Sequence, residues 1–288
     1  MLACIKNKTS PSREASSDVG VDQAAFNNRE AGLTLVELVV TIVLMGILAG
    51  GTVAFVVSST QSYVDTATRN QLSAIGRLTT TRLELGIKNA VPNSFRTANN
   101  CLEFLPLAAI SIFLEAPLSG TSASSSTTME VVPISGLSDA SYAVIYPTNP
   151  DSLYDVSAVG PTAAIESVSG GTVTFTSAHE FTARGAVNRV FFAKAPESFC
   201  IDTSSGFMYR YRSGTYAMQS AQPVPGDLPS GPPSRAVVSA NIENGALTPF
   251  SYSTAGLQNA GLVRLTLKFV DGDESLFIEH EVLNEHAP

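Results

Sequence analysis

The chain has 288 residues, of which 44% are hydrophobic and 15% are charged, and its formal net charge is −8. This charged fraction is well below the roughly 25% of a typical soluble domain, so part of the chain must be poor in charge. The acidic balance argues against general binding to nucleic-acid backbones, and we expect no nucleic-acid partner. Three cysteines and three histidines are too few and too scattered for a zinc module or a disulfide-dense miniprotein.

The charge-poor segment lies near the N-terminus. Between Leu38 and Val64 the only ionisable group is the phenol of Tyr63, and the segment opens with LVVTIVLMGILAGGTVAFVV. A helix needs roughly 20 apolar residues to cross a bilayer, and this run exceeds that length. A signal peptide has an apolar region of only about 7–15 residues. The sequence therefore predicts a membrane-spanning helix, with a buried core helix as the alternative.

The helix is predicted to cover residues 33–90, because no proline occurs between Leu33 and Pro92 and proline ends helices. Residues 33–62 form its transmembrane half and residues 63–90 form an amphipathic half. Apolar side chains in the second half recur mostly at helical spacing, at Val64, Ala67, Leu72, Ile75, Leu78 and Leu85. We expect this apolar face to be buried against another part of the chain.

One carboxylate occupies a position that a membrane helix does not favour. Glu37 lies at the start of the apolar run, five residues after Gly32. An ionised carboxylate near hydrocarbon costs several kcal/mol unless it is paired, so such residues are usually functional. The natural partner for this carboxylate is a positive amine.

The segment Gly32-Leu33-Thr34-Leu35-Val36-Glu37-Leu38 resembles the processing site of type IV prepilins and type II secretion pseudopilins. The resemblance implies that a prepilin peptidase removes residues 1–32 as a leader by cutting after Gly32, and then N-methylates Leu33. It also implies that Glu37 neutralises the N-terminal amine of a neighbouring subunit during filament assembly. An ordinary signal anchor is the alternative. The leader is long for this family, and its charges cancel.

Two further regions resemble one particular family of pilin-like proteins. They are TRLELGIKNAVPNSFR (81–96) with NCLEFLP (100–106), and the later blocks RVFF, FCI and MYRY, which begin at residues 189, 199 and 208. These regions resemble the MshO family of mannose-sensitive haemagglutinin (MSHA) pilus biogenesis. This resemblance implies a minor pilin that initiates or caps a filament and so serves adhesion or motility.

The family resemblance implies a pilin-like α+β fold and a single-pass protein of the bacterial inner membrane. The leader would be cytoplasmic, and residues 91–288 would form a β-rich periplasmic domain. The implied partners are prepilin peptidase, other pilins and minor pilins, the inner-membrane assembly machinery and membrane lipid. Two alternatives remain open: a minor pseudopilin of type II secretion, and a membrane-anchored module that binds a glycan or DNA.

After Pro92 the sequence changes to short β-prone runs between clusters of Gly, Pro, Ser and Asn, which predicts an antiparallel sheet. In one run, apolar Val263, Leu265, Leu267 and Phe269 alternate with polar Arg264, Thr266 and Lys268. This alternation predicts a half-buried strand, and the amphipathic half of the long helix is its expected cover. Asp271–Glu274 is predicted to be a hairpin turn. Residues 119–128 and 222–235 are predicted to be loops.

The cysteines suggest one disulfide. Cys4 falls in the implied leader, so Cys101 and Cys200 remain as an even pair in a domain expected to be periplasmic, where disulfides persist. Each lies in a strand-like run. We predict a Cys101–Cys200 bond, with two independent buried thiols as the alternative.

A search for catalytic motifs finds none, and we expect neither an enzyme nor a cofactor. The sequence has no G-x-S-x-G, no C-x-x-C and no Walker A lysine. His179-Glu180 and His280-Glu281 begin like a zinc-protease motif, but the second histidine is missing from both. His179, His280 and His286 are therefore predicted to be surface residues, and no metal site is expected.

Two weaker candidates for binding remain. Asp271–Glu274 could hold calcium, although turn chemistry alone accounts for its residues. Arg210 and Arg212 are expected on one strand face, with Tyr209 and Tyr211 on the other. This arrangement could contact DNA or a glycan, but we favour a solvated edge strand.

Overall fold

A computed structural model describes residues 32, 34–121, 125–254, 261–284 and 286 of the chain. The chain divides into two compact units, Met1–Ser58 and Ser59–Pro288, which are described separately. The implied leader up to residue 31, including Cys4, lies outside the described residues, and so does Leu33.

The long predicted helix is present as α1, Leu35–Lys88, and it contributes residues to both units. In the first unit, Leu35–Ser58, every side chain of the helix is exposed. Among the described residues, α1 is the helix that is long and apolar enough to cross a membrane. The uninterrupted helix follows from the absence of proline between Leu35 and Val91, and Pro92 comes just after its end.

In the second unit, the later half of α1 buries a narrow stripe of side chains, namely Leu72, Gly76, Thr79, Leu83 and Ile87. The expected buried face was partly wrong, because Leu78 and Leu85 are 51% and 66% exposed. Gly76 explains the shift: a Cβ built there would lie 2.3 Å from Cδ1 of Ile278. The helix backbone therefore approaches the strands at its small residues, which turns the two leucines toward solvent.

Among the described residues, the second unit contains fourteen strands and one short α-helix in addition to α1, namely α2 (Pro150–Leu153). The strands are β1 (Arg96–Ala98), β2 (Cys101–Phe104), β3 (Leu107–Glu115), β4 (Ser126–Val131), β5 (Tyr142–Val144), β6 (Thr162–Ser169), β7 (Thr172–His179), β8 (Arg189–Ala193), β9 (Glu197–Asp202), β10 (Phe207–Tyr211), β11 (Arg235–Ser239), β12 (Phe250–Ser253), β13 (Leu262–Asp271) and β14 (Glu274–Leu283). This arrangement confirms the α+β fold class, with a long apolar helix followed by a sheet-rich domain.

The strands form three groups rather than one sheet. Five strands pair in the order β1-β2-β9-β10-β11, three pair as β12-β13-β14, and six close into a barrel in the order β3-β4-β7-β6-β5-β8. The barrel uses only strands that lie between β2 and β9 along the chain. It is therefore an insertion into the five-stranded sheet, and the sequence analysis did not predict it.

The predicted C-terminal hairpin is confirmed. Val263, Leu265, Leu267 and Phe269 are completely buried, whereas Arg264 on the opposite face is exposed. Asp271 pairs with Glu274, which leaves a two-residue turn in which Gly272 has φ +58°. Glycine adopts this left-handed conformation without steric cost.

The two predicted loops have different outcomes. Residues 222–234 are irregular, and β11 begins at Arg235. In the segment 119–128, strand β4 already begins at Ser126, so the loop prediction was wrong at its end. Residues 122–124 lie outside the described residues.

Candidate processing and assembly site

The start of α1 has a hydrogen-bonded cap. The backbone N–H of Glu37 donates to Oγ1 of Thr34 at 3.3 Å, and the backbone N–H of Leu38 donates to the carbonyl oxygen of Thr34 at 3.1 Å. Thr34 is thus the N-cap, and Glu37 is the third helical residue. Thr-x-x-Glu is the spacing of a capping box, in which the side chains satisfy backbone N–H groups that the helix leaves free.

Glu37 therefore has a local role in addition to the one implied by the resemblance. It is the acidic residue of the first turn of α1, where a negative charge is favourable because of the helix dipole. The next basic residue of α1 is Arg69, about nine turns further along. Any cation that neutralises Glu37 through a close contact must therefore come from outside this helix.

The helix surface that follows Glu37 is apolar on all sides. The large side chains of this stretch include Ile42, Leu44, Ile47 and Phe55, which are 53–73% exposed. A Cβ added at Gly46, Gly50 or Gly51 would meet nothing within 4 Å. Gly46-x-x-x-Gly50 is thus an open small-xxx-small surface, the kind that permits close approach by another helix.

The decisive comparison concerns this same segment. Residues 27–53 match the family described as the prokaryotic N-terminal methylation motif. The matched methylation motif includes Gly32, Leu33, Glu37 and the first half of the apolar run. Together with the helix it supports a membrane-anchored, type IV prepilin-like protein. The chain matches no curated protein and no solved structure.

In the second unit, Cys101 and Cys200 form a disulfide with an S–S distance of 2.04 Å. The two cysteines are directly opposite each other in the antiparallel pair of β2 and β9. These are the two strands between which the barrel is inserted. The bond therefore joins the chain just before it enters the barrel to the chain just after it leaves.

A buried ion pair beside the disulfide was missed by the sequence analysis. Nε of Arg96 donates to Oε2 of Glu103 at 2.9 Å, and Nη2 contacts the same oxygen. The guanidinium lies over the ring of Tyr154, 3.5 Å from its centroid, and the hydroxyl of Tyr216 donates to Oε1 of Glu103 at 3.2 Å. Arg96 and Glu103 are seven residues apart and lie opposite each other in the pair of β1 and β2. The ion pair could have been predicted from the sequence only if the register of these two strands had been known.

Burial is the main cause of the pKa shifts in this cluster. Burial raises the pKa of Glu103, and Arg96 opposes that rise. Burial and the nearby Glu103 carboxylate raise the pKa of Tyr216 far above its ordinary value. The cluster is enclosed and internally bonded, so its role is to hold β1, β2 and the chain around Tyr216 together rather than to bind a ligand.

The prediction of surface histidines was wrong for His179. It is 3% exposed, its Nε2 lies 3.1 Å from the carbonyl oxygen of Gly160, and it packs edge-on against Phe175 and Phe181. Burial lowers its pKa. The error arose because a lone histidine has no sequence signal that distinguishes a core position from a surface one. His280 and His286 are partly exposed.

The Asp271–Glu274 turn does not assemble a metal site in the described part of the chain. Glu274 is engaged by Arg69, whose Nε donates to Oε2 at 2.7 Å and whose Nη2 donates to Oε1 at 3.0 Å. This hydrogen bond lowers the pKa of Glu274. No group of three or more His, Cys, Asp or Glu side chains converges among the described residues.

The prediction of an edge strand at Arg210 was wrong. Strand β10 lies between β9 and β11, and Arg210 forms a two-pronged ion pair with Glu197, Nε to Oε1 at 2.7 Å and Nη2 to Oε2 at 2.9 Å. This pairing raises the pKa of Arg210. Arg210 and Arg212 do share one side of the sheet, where both line a surface cleft of about 700 Å³.

Proposed function

We propose that this chain is a minor pilin-like subunit of a type IV pilus, of the MSHA type and resembling its MshO component. The observation that carries the proposal is the methylation motif at residues 27–53, followed without interruption by the apolar helix α1. The motif supplies the processing site, and the helix supplies a surface that both lipid and neighbouring helices can cover.

Processing would release the helix for assembly. In the proposed scheme, prepilin peptidase cuts between Gly32 and Leu33, N-methylates Leu33, and leaves a positive amine four residues before Glu37. Before cleavage the leader stays in the cytoplasm, α1 crosses the inner membrane, and residues 91–288 lie in the periplasm. The inner-membrane assembly machinery then transfers α1 from lipid to a bundle of other pilin helices.

Charge then selects the register of the new subunit. In a low-dielectric bundle, an unpaired carboxylate costs several kcal/mol, and opposite charges attract far more strongly than in water. Glu37 would meet the amine of the adjacent subunit at one axial position only. The exposed small-residue surface at Gly46 and Gly50 would allow the helices to pack closely at that position.

The proposed place in the filament is at its start or its tip. The second unit contains an inserted barrel in addition to its two other sheets, and removal of residues 1–32 from the 288 of the chain would leave 256, a length that suits a minor subunit of this family better than a bulk one. A subunit present in few copies can carry such an insertion without disturbing the lattice. In this position it would serve adhesion or motility by initiating or capping the filament.

The first experiment measures the mature N-terminus. The full chain is produced with and without a prepilin peptidase and analysed by intact mass and N-terminal peptide sequencing. We expect a peptidase-dependent product that begins at Leu33 and carries one additional methyl group. A chain that stays unprocessed with an active peptidase, under conditions where a control prepilin is cut, would contradict the proposal.

A second experiment separates the two roles of Glu37. Glu37→Gln retains a side chain that suits a capping box but removes the charge, whereas Glu37→Ala removes both. If charge pairing drives assembly, both variants are cleaved normally and neither enters filaments. Thr34→Ala, which removes only the cap, should still assemble. Filament entry by Glu37→Gln at the wild-type level would reduce Glu37 to a helix-capping residue.

A further inference from the structure

The cleft beside Arg210 has three walls, all within the second unit. One wall is formed by the end of α1 and the residue that follows it, from Arg82 to Asn89. The second is the segment between Lys194 and Glu197 that joins the barrel to β9, and the third is formed by Arg212 and the turn that follows β10. Its volume of about 700 Å³ is sufficient for a few residues of an extended peptide. None of its lining residues belongs to the processing motif.

The charges that line the cleft do not cancel. Its cations are Arg82, Lys194, Arg210 and Arg212, and its carboxylates are Asp139 and Glu197. Glu197 is occupied by Arg210, and Nζ of Lys194 lies 3.4 Å from Oδ2 of Asp139. Arg82 donates to the neutral carbonyl of Val238. Among the described residues, neither Arg82 nor Arg212 has a carboxylate partner.

The cleft therefore has an excess of positive charge, whereas the whole chain has a formal net charge of −8. A cleft in which one sign of charge is in excess concentrates ligands of the opposite sign. Arginine presents a planar set of donors that matches the two oxygens of a carboxylate. The cleft therefore favours an anionic ligand, although the protein as a whole repels anions.

The helix wall adds an exposed apolar stripe to these charges. Leu78 and Leu85 are 51% and 66% exposed, and with Arg82 between them they follow the spacing of one helix face. Leu85 itself lines the cleft. A ligand that reaches the arginines would thus place an apolar group against Leu85, which would remove that side chain from water.

The walls offer little to a sugar or a nucleotide base. The two aromatic rings that line the cleft belong to Phe104 and Phe199, which are 1% and 2% exposed. They present no free face for the stacking that single-stranded nucleic acids use. The combination of separated cations with an exposed leucine suits carboxylates on a peptide better than either alternative.

We propose that this cleft docks an acidic peptide segment of a partner protein, in which carboxylates bind Arg82 and Arg212 and an apolar side chain packs on Leu85. This docking site lies outside the helix segment used for filament assembly, so it stands or falls independently of the proposed function. It would give the subunit a second contact, made by its folded domain, that selects partners by charge.

The test uses the full chain in phosphatidylcholine nanodiscs, with empty nanodiscs as the blank. The probe is a fluorescein-labelled peptide, Asp-Glu-Leu-Asp-Glu, compared with its uncharged counterpart Asn-Gln-Leu-Asn-Gln by fluorescence anisotropy. Arg212→Glu is the main variant because the side chain of Arg212 makes no described ion pair. Arg77→Glu is the control with the same charge change, at an exposed arginine of α1 outside the cleft. Circular dichroism verifies that both variants fold.

We expect saturable binding of the acidic peptide that Arg212→Glu weakens by roughly tenfold or more, that Arg77→Glu leaves within about twofold, and that added salt weakens. Replacing the central leucine of the peptide by serine should also weaken binding. Equal loss in the two variants, equal binding of the uncharged peptide, or no saturable binding would overturn the proposal. So would displacement of the peptide by an oligonucleotide or an acidic oligosaccharide at lower concentration.

Discussion

The two halves of α1 belong to one uninterrupted helix but differ in how much of their apolar surface the protein buries. Between Leu35 and Ser58 the side chains are apolar and exposed, whereas the later half buries Leu72, Leu83 and Ile87 in the core of the second unit. Backbone hydrogen bonding is the same in both halves. The difference lies in whether the protein's own chain covers the apolar surface.

This difference shows where each half obtains its stability. The later half gains from burial against the strands, and its narrow buried stripe is set by side-chain shape as well as by hydrophobicity. The earlier half has no such partner among the described residues, so a membrane or other helices must provide its apolar surroundings. Mutations of the same type should therefore change the stability of the second unit in the later half and leave it unchanged in the earlier half.

The largest contrast is expected for leucine truncation. Leu83→Ala should lower the free energy of unfolding of the second unit by about 2–5 kcal/mol, because Leu83 is completely buried and its removal leaves a cavity. Leu44→Ala, at a side chain that is 53% exposed, should leave it within about 0.5 kcal/mol. Urea denaturation in detergent, followed by tyrosine fluorescence, measures both. Similar losses for the two variants would contradict the comparison.

Removing the disulfide should have the next largest effect. Cys101→Ala with Cys200→Ala should lower the free energy of unfolding of the second unit by about 2–4 kcal/mol, because the bond closes a long loop in the unfolded chain. The two cysteines are 99 residues apart. Cys4→Ala is the control, and the helicity of α1 in lipid should not change in either case. Unaltered stability of the double variant would mean that the inserted barrel holds β2 and β9 together by itself.

Glycines test the comparison with a smaller effect. Gly76→Leu should destabilise the second unit by about 1–3 kcal/mol through overpacking, because even its Cβ would lie 2.3 Å from Cδ1 of Ile278. At Gly46 an added Cβ would meet nothing within 4 Å, so Gly46→Leu should leave unfolding unchanged. The same pair should reverse in a filament assay, where Gly46→Leu is expected to impair helix packing. Thermal unfolding and filament incorporation are the two measurements.

The long helix could be predicted from the sequence because its signals are local. The apolar run is longer than a bilayer is thick, no proline lies between Leu33 and Pro92, and the hydrophobic period changes after Pro92. The C-terminal hairpin was predictable for the same reason, since Asp271 and Glu274 flank a two-residue turn. The Thr34 cap had a signal too, the capping-box spacing to Glu37, but these residues coincide with those of the cleavage motif.

The barrel could not be predicted because its closure depends on distant pairings. Leu107 of β3 pairs with Ala193 of β8, and alternation along a strand indicates its buried face but not its partner. The burial of α1 had a related ambiguity. Periodicity placed Leu78 and Leu85 on an apolar face, whereas the close approach at Gly76 decided which face the strands cover.

The smallest predicted effect is a pH dependence confined to the second unit. From Leu38 to Ser58 the helix carries no titratable side chain, whereas burial lowers the pKa of His179 in the barrel. An unfolded histidine takes up its proton near pH 6.5, and folded His179 does so only at lower pH. As the pH falls below about 6.5, the unfolded chain binds more protons, and the stability of the barrel decreases.

Urea midpoints between about pH 7.5 and about pH 5.5 measure this effect above the range in which most carboxylates titrate. The midpoint should fall with acidification in the wild type and in His280→Gln. His179→Phe should fill the same aromatic cluster without a titrating group and should flatten the dependence. An unchanged slope in His179→Phe would assign the pH dependence to other groups, because this variant no longer has the imidazole.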